Sequence, residues 1–138
     1  MPETPQAELQ KLLYDTLTAA PSVMDLVGGV YDKVPSEPFK GKTAYISFGP
    51  SDVVDDGSDC INSGTYSFQV DVWSKAVGRV EAGRIVDLAY RVLHEQELAM
   101  ADNALAEIRV DFRRTFRDAD PLVTHGVLSV SAMIEEPD

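Results

Sequence analysis

The sequence predicts an α+β protein, in which a mostly antiparallel sheet is covered on one face by two main helices. Two segments repeat apolar residues every three or four positions, as amphipathic helices do, and several others alternate apolar and polar residues, as half-buried strands do. The strands of the last third are joined by a short turn, which is typical of an antiparallel pair. A chain of 138 residues is expected to form a single domain over residues 1–138.

The first predicted helix runs from about Pro5 to Ala19. Thr4 is its expected N-cap, Pro5 fits the first turn, and Glu8 lies near the positive end of the helix dipole. The second predicted helix spans Arg79 to His94. Each helix carries one apolar stripe that is expected to face the core. The stripes are Leu9, Leu12, Leu13 and Leu17 in the first, and Ala82, Ile85, Val86, Ala89 and Leu93 in the second.

The middle of the chain predicts two strands. One runs from Thr43 to Phe48, and Gly49 and Pro50 are expected to end it. The acidic stretch 51–59 is interpreted as a mobile surface loop. The clearest strand spans Thr65 to Trp73, and Trp73 lies on its polar face as a candidate contact residue. The residues expected to point to the core are Tyr66, Phe68, Val70 and Val72.

The last third predicts a long hairpin. Leu105–Phe116 alternates apolar residues with charged ones, Asp118–Pro121 makes the turn, and Leu122–Ile134 returns. The inward residues of its first strand are expected to be Ile108, Val110 and Phe112. The helix that separates the strands leaves room for a crossover, so a mixed sheet is an alternative.

The composition excludes several classes of protein. There are 12 basic and 23 acidic residues, so the formal net charge is −11, and the isoelectric point is near 4.4. This balance argues against broad binding to nucleic acid phosphates or to anionic membranes. The one cysteine, Cys60, excludes an internal disulfide and a cysteine zinc cluster. We expect no signal peptide and no membrane span, and therefore a soluble protein of intracellular type.

The sequence predicts no catalytic, cofactor or metal residues. A serine or cysteine nucleophile needs a base, but His94 is expected to place a cation at a helix end and His125 to hydrogen-bond a turn. Cys60 is interpreted as an inert thiol. Asp71 with Lys75 is too unspecific a pair to indicate a nuclease. The acidic stretch departs from the calcium-loop pattern, and no glycine-rich phosphate loop is present.

One charge pattern is left to explain. Four of the twelve basic residues lie within nine positions, on the first strand of the hairpin and its turn. This stripe is either a solvated face or an interface that binds the acidic stretch of another copy. If the two regions lie on opposite sides of the domain, head-to-tail pairing could close a ring. The candidate self-association residues are Asp52, Asp55, Asp56, Asp59, Arg109, Arg113, Arg114 and Arg117.

Several runs resemble a known family. They are LVGGVYD at 26–32, VDVWSK at 70–75, GRVEA at 78–82 and HGVLS at 125–129, together with a strand that reads YISFG. In these the chain resembles the small tail-completion or tail-terminator proteins of long-tailed phages, prophages and gene transfer agents. The resemblance covers nearly the whole chain, and its motifs are structural rather than catalytic.

The resemblance implies a fold like that of the lambda-type terminator and a structural role without enzymatic activity or cofactor. Such proteins form a ring, typically a hexamer, on the head-proximal end of the tail tube, where they stop tube polymerisation. The implied partners are other copies of the chain, the tail tube protein and a head connector or stopper protein.

Neither a membrane nor a specific nucleic acid is implied as a partner, although the implied ring leaves a passage for DNA. The implied location is the head–tail junction of the virion, assembled in the bacterial host cytoplasm. The alternatives are a head–tail connector or stopper component, a small hydrolase or nuclease, and a small-molecule binding module. No family motif assigns contact residues.

Overall fold

The computed structural model of the protein describes residues 2–57 and 62–137. Helices and strands follow one another in the order α1, α2, β1, β2, β3, α3, β4, β5. Their bounds are α1 Pro5–Thr18, α2 Pro21–Met24, β1 Val30–Tyr31, β2 Ala44–Asp55, β3 Asn62–Ser74, α3 Val80–Leu93, β4 Ala104–Arg117 and β5 Thr124–Glu136.

The strands form one sheet in the order β1-β2-β3-β5-β4. Every pair is antiparallel except β1 with β2, which run parallel. The mixed-sheet alternative is therefore realised only in the two-residue strand β1. The predicted α+β class is confirmed.

The two main helices bury their apolar stripes on one face of the sheet. Leu9, Leu13 and Leu17 of α1 and Ile85 and Leu93 of α3 are fully buried. They belong to the same core as the sheet residues of that face, which are Ile46, Phe68, Val70, Val72, Ile108, Val110, Leu128, Val130, Ala132 and Ile134. The helices form close to where their periodicity predicts them, and Thr4 Oγ1 accepts the N–H of Ala7 as an N-cap should.

We call the opposite side of the sheet the helix-free face. It is formed by the residues that alternate with the buried ones, because successive side chains of a strand point to opposite sides. Most of its residues are half-buried, as in Ser67, Gln69, Val127, Ser129 and Ser131. Small hydroxyl side chains therefore make up much of its centre.

The prediction that Gly49 and Pro50 end the strand, with a mobile loop over 51–59, is wrong for residues 51–55. The ladder resumes after a bulge, with Ser51 opposite Phe68 and Asp55 opposite Gly64. A bulge at a sheet edge tolerates proline, which has no N–H to donate. The long β3 therefore holds β2 beyond the expected stop. Asp59 and Cys60 lie outside the described residues.

The prediction that Phe112 points to the core is also wrong. A register shift between Val110 and Phe112 places Phe112 opposite Ser129 on the helix-free face, where 49% of its surface is exposed. A bulge adds one residue to a strand and so reverses the alternation beyond it. Periodicity alone places a residue after a bulge on the wrong face.

Candidate functional site

The predicted acidic and basic segments lie at opposite edges of the sheet. Asp52 of β2 is opposite Ser67 of β3, Ser67 is opposite Ser131 of β5, and Ser131 is opposite Arg109 of β4. These four residues form one row across the helix-free face, about 14 Å from end to end at the usual strand spacing. The sheet thus has an acidic edge at β2 and a basic edge at β4.

The acidic edge is formed by the second half of β2 and the residue that follows it. Asp52, Asp55 and Asp56 are all exposed. The Asp56 carboxylate accepts hydrogen bonds from the hydroxyls of Ser63, at 2.9 Å, and Thr65, at 3.0 Å, which fixes it beside β3. Asp52 and Asp55 have solvated carboxylates that can meet a partner.

Two of the four candidate arginines are engaged within the chain. The Arg113 guanidinium lies 3.3 Å from the Asp87 carboxylate and stacks 3.7 Å from the centre of the Tyr90 ring, so it ties β4 to α3. The Arg109 guanidinium lies 3.2 Å from Glu95 and 3.4 Å from the neighbouring Glu107. Their charges are partly neutralised by these contacts.

The other two arginines are more available. The guanidinium of Arg114 lies 4.9 Å from the centre of the Phe116 ring on the helix-free face, and its side chain is exposed. Arg117 is the exposed last residue of β4. Within residues 2–57 and 62–137, neither guanidinium forms an ion pair with a carboxylate. Arg114 and Arg117 are therefore the candidate arginines best placed to contact another molecule.

The backbone edges of the sheet are each covered over part of their length. β1 covers β2 at Ile46 and Ser47. On β4, the carbonyl of Ile108 accepts the N–H of Glu95 at 2.9 Å, and the N–H of Val110 is donated to Nδ1 of His94 at 3.0 Å. In the described part of the chain, no strand or loop backbone pairs with the outer edge at 51–55 or at 112–117.

The expectation that His94 places a cation at the end of its helix is therefore wrong. Its Nδ1 accepts the hydrogen bond from Val110, so that nitrogen carries no proton in this arrangement. The ring also stacks on Tyr90, with 4.7 Å between the ring centres. His94 covers a strand edge instead, because the chain leaves α3 in an extended conformation directly beside β4.

A row of rings crosses the helix-free face near one end of the sheet. Tyr45, Trp73, His125 and Phe116 lie directly opposite one another on β2, β3, β5 and β4. The centres of the Trp73 and His125 rings are 3.9 Å apart, and those of His125 and Phe116 are 4.8 Å apart. Burial, followed by the charge of Asp118, raises the pKa of Tyr45 above its usual value. Aromatic cross-strand pairs stabilise the sheet at this end.

Asp71 is the most buried polar residue of this face, a property that the sequence does not indicate. The Asp71 carboxylate is 5% exposed and accepts hydrogen bonds from His125 Nε2, at 2.6 Å, and Gln69 Nε2, at 2.8 Å. The expectation that His125 bonds a turn is wrong, because the ring reaches this neighbouring strand. Lys75, which the sequence placed with Asp71, lies over the Phe39 ring instead.

Serine, histidine and aspartate lie near one another here without the geometry of a hydrolytic relay. The Ser47 hydroxyl accepts the Trp73 indole N–H at 2.9 Å, and the Trp73 ring lies against His125. A nucleophilic serine needs its hydroxyl bonded to the base. The contacts of Ser47, Trp73, Asp71 and His125 are those of a structural network between strands.

The described residues contain no group of three or more histidine, cysteine, aspartate or glutamate side chains arranged to hold a metal ion. None of the helices in that part of the chain is both long and apolar enough to span a membrane. The features that stand out are thus the two charged edges and the ring row.

A family model described as tail completion protein gp17 matches residues 11–135. The chain belongs to this tail-completion family. Among solved structures, it is similar to a chain of a native gene transfer agent virion particle, with 25% sequence identity and a TM-score of 0.85. That match covers 96% of this chain and 99% of the other. The sequence has no significant match among curated proteins.

These comparisons confirm the resemblance to tail-completion proteins of phages and gene transfer agents. They support a structural role in a phage-type tail for this member of the family. The sheet and helices on which its two charged edges are displayed lie within the matched residues 11–135, apart from the first residues of α1 and the last of β5.

Proposed function

We propose that this tail-completion protein forms a ring on the head-proximal end of the tail tube of a phage or gene transfer agent. The ring ends tube polymerisation and provides the surface that joins the head. The observation that carries the proposal is the family match over residues 11–135 together with a likeness, over almost the whole of both chains, to a component of a gene transfer agent particle.

The proposed partners are further copies of the chain, expected as a hexamer, together with the tail tube protein and a head connector or stopper protein. A cap of this kind needs no catalysis, because occupying the growing end excludes the next tube subunit. We therefore propose a non-enzymatic protein that is assembled into the virion tail in the host cytoplasm.

Two complementary edges on one rigid sheet support the ring. A head-to-tail contact uses two different surfaces of each copy. Repeating the contact closes a ring when a whole number of the rotations between neighbouring copies adds up to a full turn. The β2 edge carries Asp52, Asp55 and Asp56, and the β4 edge carries Arg114 and Arg117, which have no carboxylate partner in the described part of the chain. Arg109 and Arg113 are given a smaller role because Glu95 and Asp87 already contact them.

Native mass over a concentration series tests self-association. We expect a closed oligomer for the natural chain and a marked loss of it for the double variant Arg114→Glu/Arg117→Glu. The matched control is Arg79→Glu/Arg84→Glu, which makes the same change of charge at and near the start of α3. Equal assembly of the two double variants would contradict a role for the basic edge.

Tail assembly tests the function itself. Particles that lack the protein are expected to contain tubes of irregular, excessive length that do not join heads, and added protein should restore both properties. Tubes of normal length that fail only to join heads would instead support the connector alternative.

A further inference from the structure

We propose that neighbouring copies join by pairing β4 of one copy with the second half of β2 of the next, so that the sheet continues around the ring. This inference rests on the proposed ring and names its contact: Asp52 lies opposite Arg114 of the next copy, and Val54 lies opposite Phe112. Residues 51–54 and 112–115 form the new antiparallel pair, which ends before the bulge at Asp111.

Strand direction makes this contact possible. The four long strands lie in the order β2, β3, β5, β4, and each is antiparallel to its neighbour. β2 and β4, at the two ends of this set, therefore run in opposite directions. Copies related only by rotation about a common axis then bring β4 beside the next β2 in antiparallel orientation, around the whole ring.

The side chains that meet on the helix-free face are complementary. Asp52, Val54, Phe112 and Arg114 all lie on the helix-free face, because they are opposite Ser67, Thr65, Ser129 and Val127. In the proposed register the exposed carboxylate of Asp52 faces the Arg114 guanidinium. Val54 and Phe112, which are 67% and 49% exposed in the single copy, face each other. Directly opposite charged and apolar pairs both stabilise an antiparallel ladder.

The covered parts of both edges fall outside the proposed pair. In this register Ile46, which β1 covers, would lie opposite position 120, beyond the last residue of β4. Val110, which His94 covers, lies on the far side of the bulge from Phe112, the residue at which the proposed pair ends. The uncovered segments of the two edges are thus the ones that meet.

The displacement along the strands between neighbouring copies agrees with that of a sheet closed into a barrel. Within one copy Asp52 lies in the row of Arg109, and Arg109 and Arg114 are opposite Ser131 and Val127, so pairing Asp52 with Arg114 of the next copy displaces the row by four residues. Four residues of strand are about 14 Å and four strands are about 19 Å wide, which gives a strand tilt of about 35°. Closed barrels have tilts of about 35–45°.

Disulfide trapping tests this register. Asp52→Cys/Arg114→Cys is prepared in a Cys60→Ser background, and the ring, or the purified tails if the chain assembles only there, is mildly oxidised. Opposite residues of an antiparallel pair lie within disulfide reach. We expect covalent multimers up to the size of the ring. Asp52→Cys/Arg109→Cys is the matched control, and it should give none because His94 and Glu95 cover β4 beside Arg109.

Exchange of charges provides a second test that leaves Cys60 in place. Asp52→Arg and Arg114→Asp should each weaken assembly about tenfold, and the two together should restore it to within about twofold. A ring of full mass with no cross-link and no restoration would overturn the edge pairing and leave the proposed ring intact. A chain that neither assembles nor caps tubes would overturn both.

Discussion

Asp71 is nearly buried on the helix-free face, yet its carboxylate is satisfied by His125 and Gln69. The ring of His125 also stacks against Trp73, so one side chain joins β5 to β3 in two ways. Removing either partner leaves the other in a partly desolvated site, which costs more than an exposed hydrogen bond. We therefore expect the two residues to act as a unit.

A double-mutant cycle tests this coupling. Asp71→Ala and His125→Ala should each lower the free energy of unfolding by about 1.5–3 kcal/mol. The double variant should lose at least about 1 kcal/mol less than the sum of the two, because the contact can be lost only once. Urea unfolding measures all three. Asp71→Ala with Lys75→Ala is the control and should be additive, and strict additivity of the first cycle would contradict the network.

At the scale of elements, Glu8 attaches α1 to the segment that leads into β4. Its carboxylate accepts the backbone N–H groups of Asp102 and Asn103, at 2.8 and 2.9 Å, and the Asn103 side-chain amide at 3.0 Å. The sequence explained Glu8 only by its place near the positive helix end. The structure adds contacts with residues more than ninety positions away.

Glu8→Ala should therefore destabilise the protein by about 2–3 kcal/mol, since buried donors lose a charged acceptor. Glu8→Gln retains one acceptor oxygen and should lose less. Thermal or urea unfolding would show the order of the three proteins. Equal stability of Glu8→Ala and the natural chain would show that the segment finds other acceptors.

His94 connects the end of α3 to β4, because its Nδ1 accepts the N–H of Val110 on the outer edge of that strand. His94→Ala should expose that edge. We expect hydrogen exchange of the Val110 amide to become at least tenfold faster, with a loss of about 1–2 kcal/mol in stability. Gln96→Ala, in the exposed loop that follows, is the control. Unchanged exchange at Val110 would mean that the edge stays covered without the imidazole.

At the scale of the whole molecule, the net charge of −11 opposes assembly, because every copy repels every other. Local pairs such as Asp52 with Arg114 must overcome this repulsion. Salt screens both effects, since the screening length falls from about 10 Å at 0.1 M to about 3 Å at 1 M. The assembly of the natural chain should consequently depend only weakly on salt.

Arg114→Glu/Arg117→Glu removes the attraction and, with two changes of −2 each, takes the net charge from −11 to −15. Its residual assembly should therefore rise with added salt, in contrast to that of the natural chain. Native mass at 0.1 M and 1 M salt measures the difference. A variant whose assembly depends as weakly on salt as that of the natural chain would contradict an electrostatic role of this edge.

The sequence by itself determined the fold class, the two main helices and the strands of the hairpin. Each of these depends on local periodicity, which records directly which side of an element is buried. It also placed acidic and basic residues in two separate segments, and its family motifs indicated tail completion, which the comparisons confirm. These features can be recognised from residues that are close together along the chain.

Only the tertiary structure decided the contacts and the register between strands. The length of β2 depends on β3, the exposure of Phe112 on a bulge, and the roles of Asp71, His94 and His125 on partners sixteen or more residues away. The same holds for the two charged edges, which lie opposite each other because the sheet order separates β2 from β4. Strand order and register are set by packing of the entire sheet, so no local pattern contains them.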